Sequence, residues 1–126
     1  MTTGKVQRKG PHREALVTSI SRIAEQLLEI LGARLTAFMV GLSDPKALTE
    51  YAKGERSPQS ETDTKLRTVH QIVVTLMKGD IPSSAIQAWF TGMNPDLEDE
   101  SPAKVILENP KRVLEAARAF VEVAEG

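Results

Sequence analysis

The sequence predicts a small all-α protein, with an N-terminal helix, a helix-turn-helix core and a C-terminal helical region. Three observations carry that expectation. Apolar residues recur at helical spacing in successive segments. No segment alternates apolar and polar residues for long enough to make a strand. Cap-then-proline pairs recur at Asp44-Pro45, Ser101-Pro102 and Asn109-Pro110, where helices would begin.

At 126 residues the chain is one domain with a single modest core. Hydrophobic content of 40% and charged content of 26% are those of a globular protein, and with aromatics at 4% aliphatic packing must carry the core. The absence of cysteine excludes disulfides, thiolate zinc sites and cysteine nucleophiles, so nothing calls for an oxidising compartment. Residues 1–13 are polar and basic, which argues against a signal peptide, and no stretch approaches the roughly 18 apolar residues of a membrane helix. A cytoplasmic protein without membrane contact is expected. The net charge of -1 conceals an asymmetry: residues 1–79 carry twelve Lys/Arg against eight Asp/Glu, and residues 80–126 four against nine. The two halves are therefore expected to face different partners.

Residues 1–10, with Lys5, Arg8 and Lys9 and no periodicity, read as a mobile basic arm. After Pro11, Leu16, Ile20, Ile23, Leu27 and Leu31 recur at helical spacing, with Leu28 and Ile30 widening the stripe, and the helix ends near Gly32. Short pieces follow to Pro58. Asp44 can cap a second short helix whose first position is Pro45, and that helix stops near Gly54, giving the outline of a helix-turn-helix. Ser60 and Asp63 have the spacing of a capping box. The helix they open carries Leu66, Val69, Ile72, Val73, Leu76 and Met77 inward and ends near residues 78–80, closing a region that spans 11–79. His70 lies on or beside its stripe; with no second ligand at suitable spacing it reads as a packing or surface residue, and His12 as less.

The region 80–126 opens with a helix holding Ala85, Ile86, Trp89 and Phe90, broken at Gly92. Trp89, the single tryptophan, and Phe90 are adjacent, about 100° apart around a helix, so they can hardly both enter one small core. One should anchor the fold while the other packs toward the last helix or a partner. Asn94-Pro95 should cap a helix or close a turn. The acidic run Asp96 to Glu100 suits a basic partner or a solvated loop. A short helix then runs through Leu107, and a last one from Lys111 to Ala124 carries Val113, Leu114, Ala117, Phe120 and Val121 on its apolar face.

No catalytic constellation is visible. There is no His-Glu-x-x-His, no phosphate-cradling glycine loop and no Gly-x-Ser-x-Gly, and the carboxylates Glu98, Asp99 and Glu100 are consecutive in a loop rather than held across a cleft. A binding protein is expected, with no cofactor, no metal and no small-molecule substrate.

Two runs of residues carry a family resemblance. Asp44, Leu48, Tyr51, Gly54 and Pro58 match the pattern Ser-x-x-x-Ile-x-x-Trp-x-x-Gly-x-x-x-Pro at the second helix of Xre-type helix-turn-helix proteins, with Tyr in place of Trp and an extra residue in the turn. Trp89-Phe90, Asn94, Leu97, Ser101-Pro102-Ala103, Ile106 or Leu107, and Val113-Leu114 then follow the order seen in the C-terminal toxin-binding domain of the Xre/MbcA/ParS-like antitoxins. Family members often have Gly-Gly where this chain has Glu98-Asp99. From about Leu31 to Glu125 the chain resembles that antitoxin family. The resemblance implies a protein that binds and neutralises a RES-domain toxin, an NAD-depleting enzyme, that dimerises, and that represses its own operon by binding operator DNA. It implies DNA contacts from Arg34, Lys46, Thr49, Glu50, Lys53 and Arg56. It also implies partner contacts from Trp89, Phe90, Asn94, Leu97, Pro102, Leu107, Val113 and Leu114. The alternative is an Xre-type DNA-binding regulator with no toxin partner.

Overall fold

The computed structural model describes residues 20–125. The arm 1–10, His12 and Leu16 lie outside them. Residues 20–30 are helical (α1), followed by α2 (Ala33–Val40), α3 (Lys46–Ala52), α4 (Ser60–Met77) and α5 (Ser83–Thr91). A single 3-10 turn (Pro95–Leu97) leads to the short α6 (Pro102–Val105) and to α7 (Pro110–Glu125). The protein is all-α, and among the described residues the extended pairing is confined to one bridge, Asn94 with Glu100.

The polar residues that precede prolines cap as the sequence suggests. The Asp44 carboxylate accepts from the Lys46 N–H at 3.0 Å, Asn94 Oδ1 from Asp96 at 2.9 Å, Ser101 Oγ from Lys104 at 3.3 Å and Asn109 Oδ1 from Arg112 at 3.3 Å. Each satisfies a backbone donor that a helix start leaves unpaired, which is worth about 1 kcal/mol. At the far end of α3, Gly54 takes φ +73°, which lets the Glu55 N–H return to the Glu50 carbonyl at 2.9 Å and close the helix.

The capping box at Ser60 does not form. Gln59 is the extended residue before α4, Ser60 is already helical, and the Asp63 carboxylate instead takes the Arg67 guanidinium one turn along at 2.6 Å. A residue inside the first turn cannot serve as its cap, so the box lost its register by one position.

The core is built on α4. Leu66, Val69, Ile72, Val73 and Leu76 are buried along it, and α7 lays Val113, Ala116, Ala117 and Val121 into the same cluster. α7 and α2 both pack on α4, α1 adds Ile23, Ala24 and Leu27 to the cluster, and α5 adds Ile86 and Phe90. One continuous core therefore runs through both 11–79 and 80–126. Two residues assigned to core faces are not core. Met77 is 50% exposed, because α4 ends there and its stripe runs out beyond its neighbours, and Phe120 is 38% exposed, with the indole of Trp89 against it.

Side-chain hydrogen bonds join the elements where packing alone would leave polar atoms facing the core. Thr36 is fully buried and bonds the Gly32 carbonyl at 2.8 Å, and Gln87 of α5 donates to the Ile30 carbonyl at the end of α1, also at 2.8 Å. His70 of α4 is half-buried and meets Gln26 of α1 at 2.6 Å, between the packing and the surface residue that its lone position allowed.

Burial, reinforced by the Arg67 cation, pushes the His70 imidazole below its ordinary pKa. The folded state thus favours the neutral ring. The associated stability is complete above the unfolded value of about 6.5 and is lost as pH falls from there through the lowered folded value. The thermal midpoint is expected to drop as pH falls below about 6.5, and His70→Gln, which keeps a donor for Gln26, should flatten that part of the profile. An unchanged slope in the variant would assign the pH dependence to other groups.

Candidate functional site

The residues expected to contact DNA lie on and around α3. Leu48 and Tyr51 point into the core, leaving Lys46 and Lys53 exposed and Thr49 and Glu50 half-exposed on the outer side. This division follows from the helical period: positions 48 and 51 are one turn apart, and 46, 49, 50 and 53 take the opposite side. Arg56 sits beyond the helix end, hydrogen-bonded to Glu50 at 3.0 Å, with its guanidinium carbon 5.8 Å from the centre of the Tyr51 ring. The Glu50 hydrogen bond, with Tyr51 adding to it, raises the pKa of a group that is already always charged. Arg56 is therefore a fixed cation on a short tether, although part of its charge is answered within the chain. Arg34, at the start of α2, is exposed.

The aromatic pair on α5 resolves as its spacing required. Phe90 is fully buried, and Trp89 is turned to the edge of the core, with its ring 5.2 Å from that of Phe90 in a T-shaped arrangement at 86°. Its other side meets Phe120 of α7 at 6.3 Å. Trp89 is half-buried, and around it stand Met93 and Val123, each 81% exposed. Trp89, Met93, Phe120 and Val123 share one surface depression of about 350 Å³, which Asn94 and Asp96 also line. Scattered exposed apolar side chains are ordinary, but a contiguous group with two aromatics is the type of surface found at protein interfaces.

The loop 94–100 reaches that depression through Asn94, Pro95 and Asp96, and it is braced from several sides. Leu97 is buried as its anchor, Asn94 pairs with Glu100, and the Arg112 guanidinium donates to the Asp96 carbonyl at 3.1 Å while lying 3.5 Å from the Glu98 carboxylate. Glu98 and Asp99 both adopt left-handed backbone, at φ +59° and +68°. Left-handed backbone is where glycine is free of strain, and here two residues with side chains take it.

The expected partner contacts divide accordingly. Phe90, Asn94, Leu97, Pro102 and Val113 are buried and offer almost no side-chain surface in this fold, and of the five Asn94 alone lines the depression. Trp89 and Leu114 are half-buried. Leu107 is exposed but lines a different depression, with Thr64, Lys65 and Thr68 of α4. Met93 and Val123 were not anticipated and Phe120 was taken for core. For Val123 the signal was present, since it follows Phe120 by three residues on α7, a spacing that stacks side chains on one face; Met93 lies past the end of α5, where helical spacing gives none. Among the described residues no cluster of His, Cys, Asp or Glu is arranged to hold a metal ion, and no helix is long and apolar enough to cross a membrane.

The fold and this surface thus define an all-helical protein with a polar outer face on α3 and an aromatic depression between α5 and α7. Comparison with protein-family models, with curated proteins and with solved structures gave no match.

The aromatic pair should separate in a denaturant titration. Phe90→Ala removes a fully buried ring and is expected to cost about 3–5 kcal/mol. Trp89→Ala, at the edge, should cost distinctly less, about 1–2 kcal/mol for the apolar area it covers. Equal losses would place both rings in the core.

Proposed function

We propose that this chain is an antitoxin-type protein that binds and neutralises a RES-domain, NAD-depleting toxin in the cytoplasm through its C-terminal region, and that it represses its own operon by binding operator DNA as a dimer. The observation that carries the reading is the aromatic depression at Trp89, Met93, Phe120 and Val123, where Trp89 stands edge-on to the buried Phe90. The residues that carry the resemblance therefore serve two ends. Most of them hold α5, the loop, α6 and α7 in place, while Trp89 reaches the surface where a partner would dock. In this reading the protein itself uses no NAD; it acts by occupying the toxin.

The DNA-binding part, and the alternative of a regulator without a toxin, are favoured by the outer side of α3. Lys46, Lys53 and Arg56 are exposed there, and the half of the chain that holds them carries the excess of positive charge. Arginine and lysine at this height suit phosphate contacts, and Thr49 and Glu50 stand between them. The two readings differ in whether the aromatic depression has an occupant.

Co-expression with the RES-type reading frame adjoining the gene tests the first reading. The toxin is expected to co-purify and growth to be rescued, and Met93→Asp, an exposed position outside the core, should abolish both while leaving the thermal midpoint within about 2 °C of the parent. No co-purification and no rescue with the parent chain would sink the antitoxin reading. For the DNA arm, affinity for the gene's own promoter should fall with salt at a log–log slope of about -0.9 per neutralised phosphate. The pair Lys46→Glu and Lys53→Glu should remove that binding, and unaltered binding would leave the α2–α3 pair a structural unit only.

A further inference from the structure

The side of α4 turned away from the core lines a broad depression of about 680 Å³, which α1 and α7 also border. Arg67, Gln71, Val74 and Lys78 follow one another there at four, three and four residues, so they share one line along the helix. In that line Val74 is 39% exposed, an apolar side chain left uncovered, with the buried Ile23 of α1 and Val121 of α7 beside it.

The two ends of the line carry different charges. Arg67 stands seven residues, about 10 Å, before Val74. Its Nε is held by the Asp63 carboxylate at 2.6 Å, while its terminal nitrogens make no hydrogen bond among the described residues. At the other end Lys78 shares the depression with Arg118 and Glu122 of α7, where Gly79 lies against Val121. Lys78, Arg118 and Glu122 are exposed, and none of them joins an ion pair among the described residues, although Arg118 and Glu122 are one turn apart.

This surface is complementary to itself. When α4 crosses its own copy antiparallel at Val74, the Arg67 end of one chain falls beside the Glu122 end of the other, and the two-fold axis makes the same contact twice. Residues 1–19 are a poorer occupant, because their four Lys/Arg against one acid repeat the sign of Arg67, Lys78 and Arg118.

We propose that two copies of this chain meet on the outer face of α4, about a two-fold axis near Val74, with the Glu122 of each copy set against the Arg67 of the other. The inference rests on the dimer named in the proposed function and assigns it a face. That face leaves the Trp89–Phe120 depression free, because Val121 and Glu122 border one flank of α7 and Phe120 and Val123 the other.

Sedimentation equilibrium of the full chain, with neither toxin nor DNA present, tests the assignment. The parent is expected to be a dimer, and Val74→Asp, at an exposed position, a folded monomer. Glu122→Arg and Arg67→Glu each set like charges together at both contacts, so each alone should dimerise at least about tenfold more weakly. Mixed in equal amounts they should recover the parent's association, since a heterodimer of the two restores an opposite-charge pair at both contacts. Single variants that dimerise as the parent does, or that stay weak on mixing, overturn the inference, and so does a dimer that survives Val74→Asp. Loss of the dimer in Met93→Asp overturns it as well, by placing the contact at the aromatic depression. A monomeric parent overturns the inference together with the dimer of the proposed function and leaves toxin binding standing, whereas an intact dimer that fails to bind a RES-domain toxin sinks the neutralisation reading alone.

Discussion

Everything in this protein leans on the buried face of α4. Leu66, Val69, Ile72, Val73 and Leu76 leave no apolar position along that stripe exposed until the helix ends, and α1, α2, α5 and α7 contribute to the one core it anchors. With few aromatics in the chain, close packing of aliphatic side chains supplies most of the cohesion, and such packing tolerates few gaps. A core of this size has room for one large ring from α5. Phe90 takes it, and because consecutive helical residues diverge by about 100°, Trp89 is forced to the rim. The surface aromatic is a consequence of how the core is filled.

That consequence links stability to binding. The depression at Trp89 exists only while α5 and α7 are held on α4, so substitutions far from the surface alter it through that packing. In the loop 94–100, Glu98 and Asp99 occupy backbone that glycine would take with less strain, and Arg112 and Leu97 hold the loop in that shape. On the other side of the molecule, Glu50 holds Arg56 back against Tyr51, so the charge available from α3 is smaller than the sequence alone would count.

Much of the fold was legible because its signals are local. Helical spacing marked α1, α4, α5 and α7, and Asp44, Asn94, Ser101 and Asn109 each announced a start by standing before a proline. What escaped depends on neighbours distant in sequence. Met77 and Phe120 sit on the correct angular face of their helices, but nothing in α4 or α7 alone says where the cover ends. The capping box at Ser60 failed by one residue, a precision that pattern reading does not reach. The site was half legible. Trp89 stood out by composition and position, whereas the division between buried residue and exposed contact needed the fold, and the brace from Arg112 joins residues 16 apart. The left-handed pair at Glu98-Asp99 left no local signal, because neither residue is glycine.

The central claim is that Trp89 faces a partner from the edge of the core. Because the chain has one tryptophan, incorporating fluorotryptophan places a single fluorine reporter at that position. The fluorine NMR resonance, followed while an unlabelled RES-domain toxin, the proposed partner, is added, is expected to move or broaden until the partner is stoichiometric. A resonance that stays unchanged with excess partner present would contradict the claim.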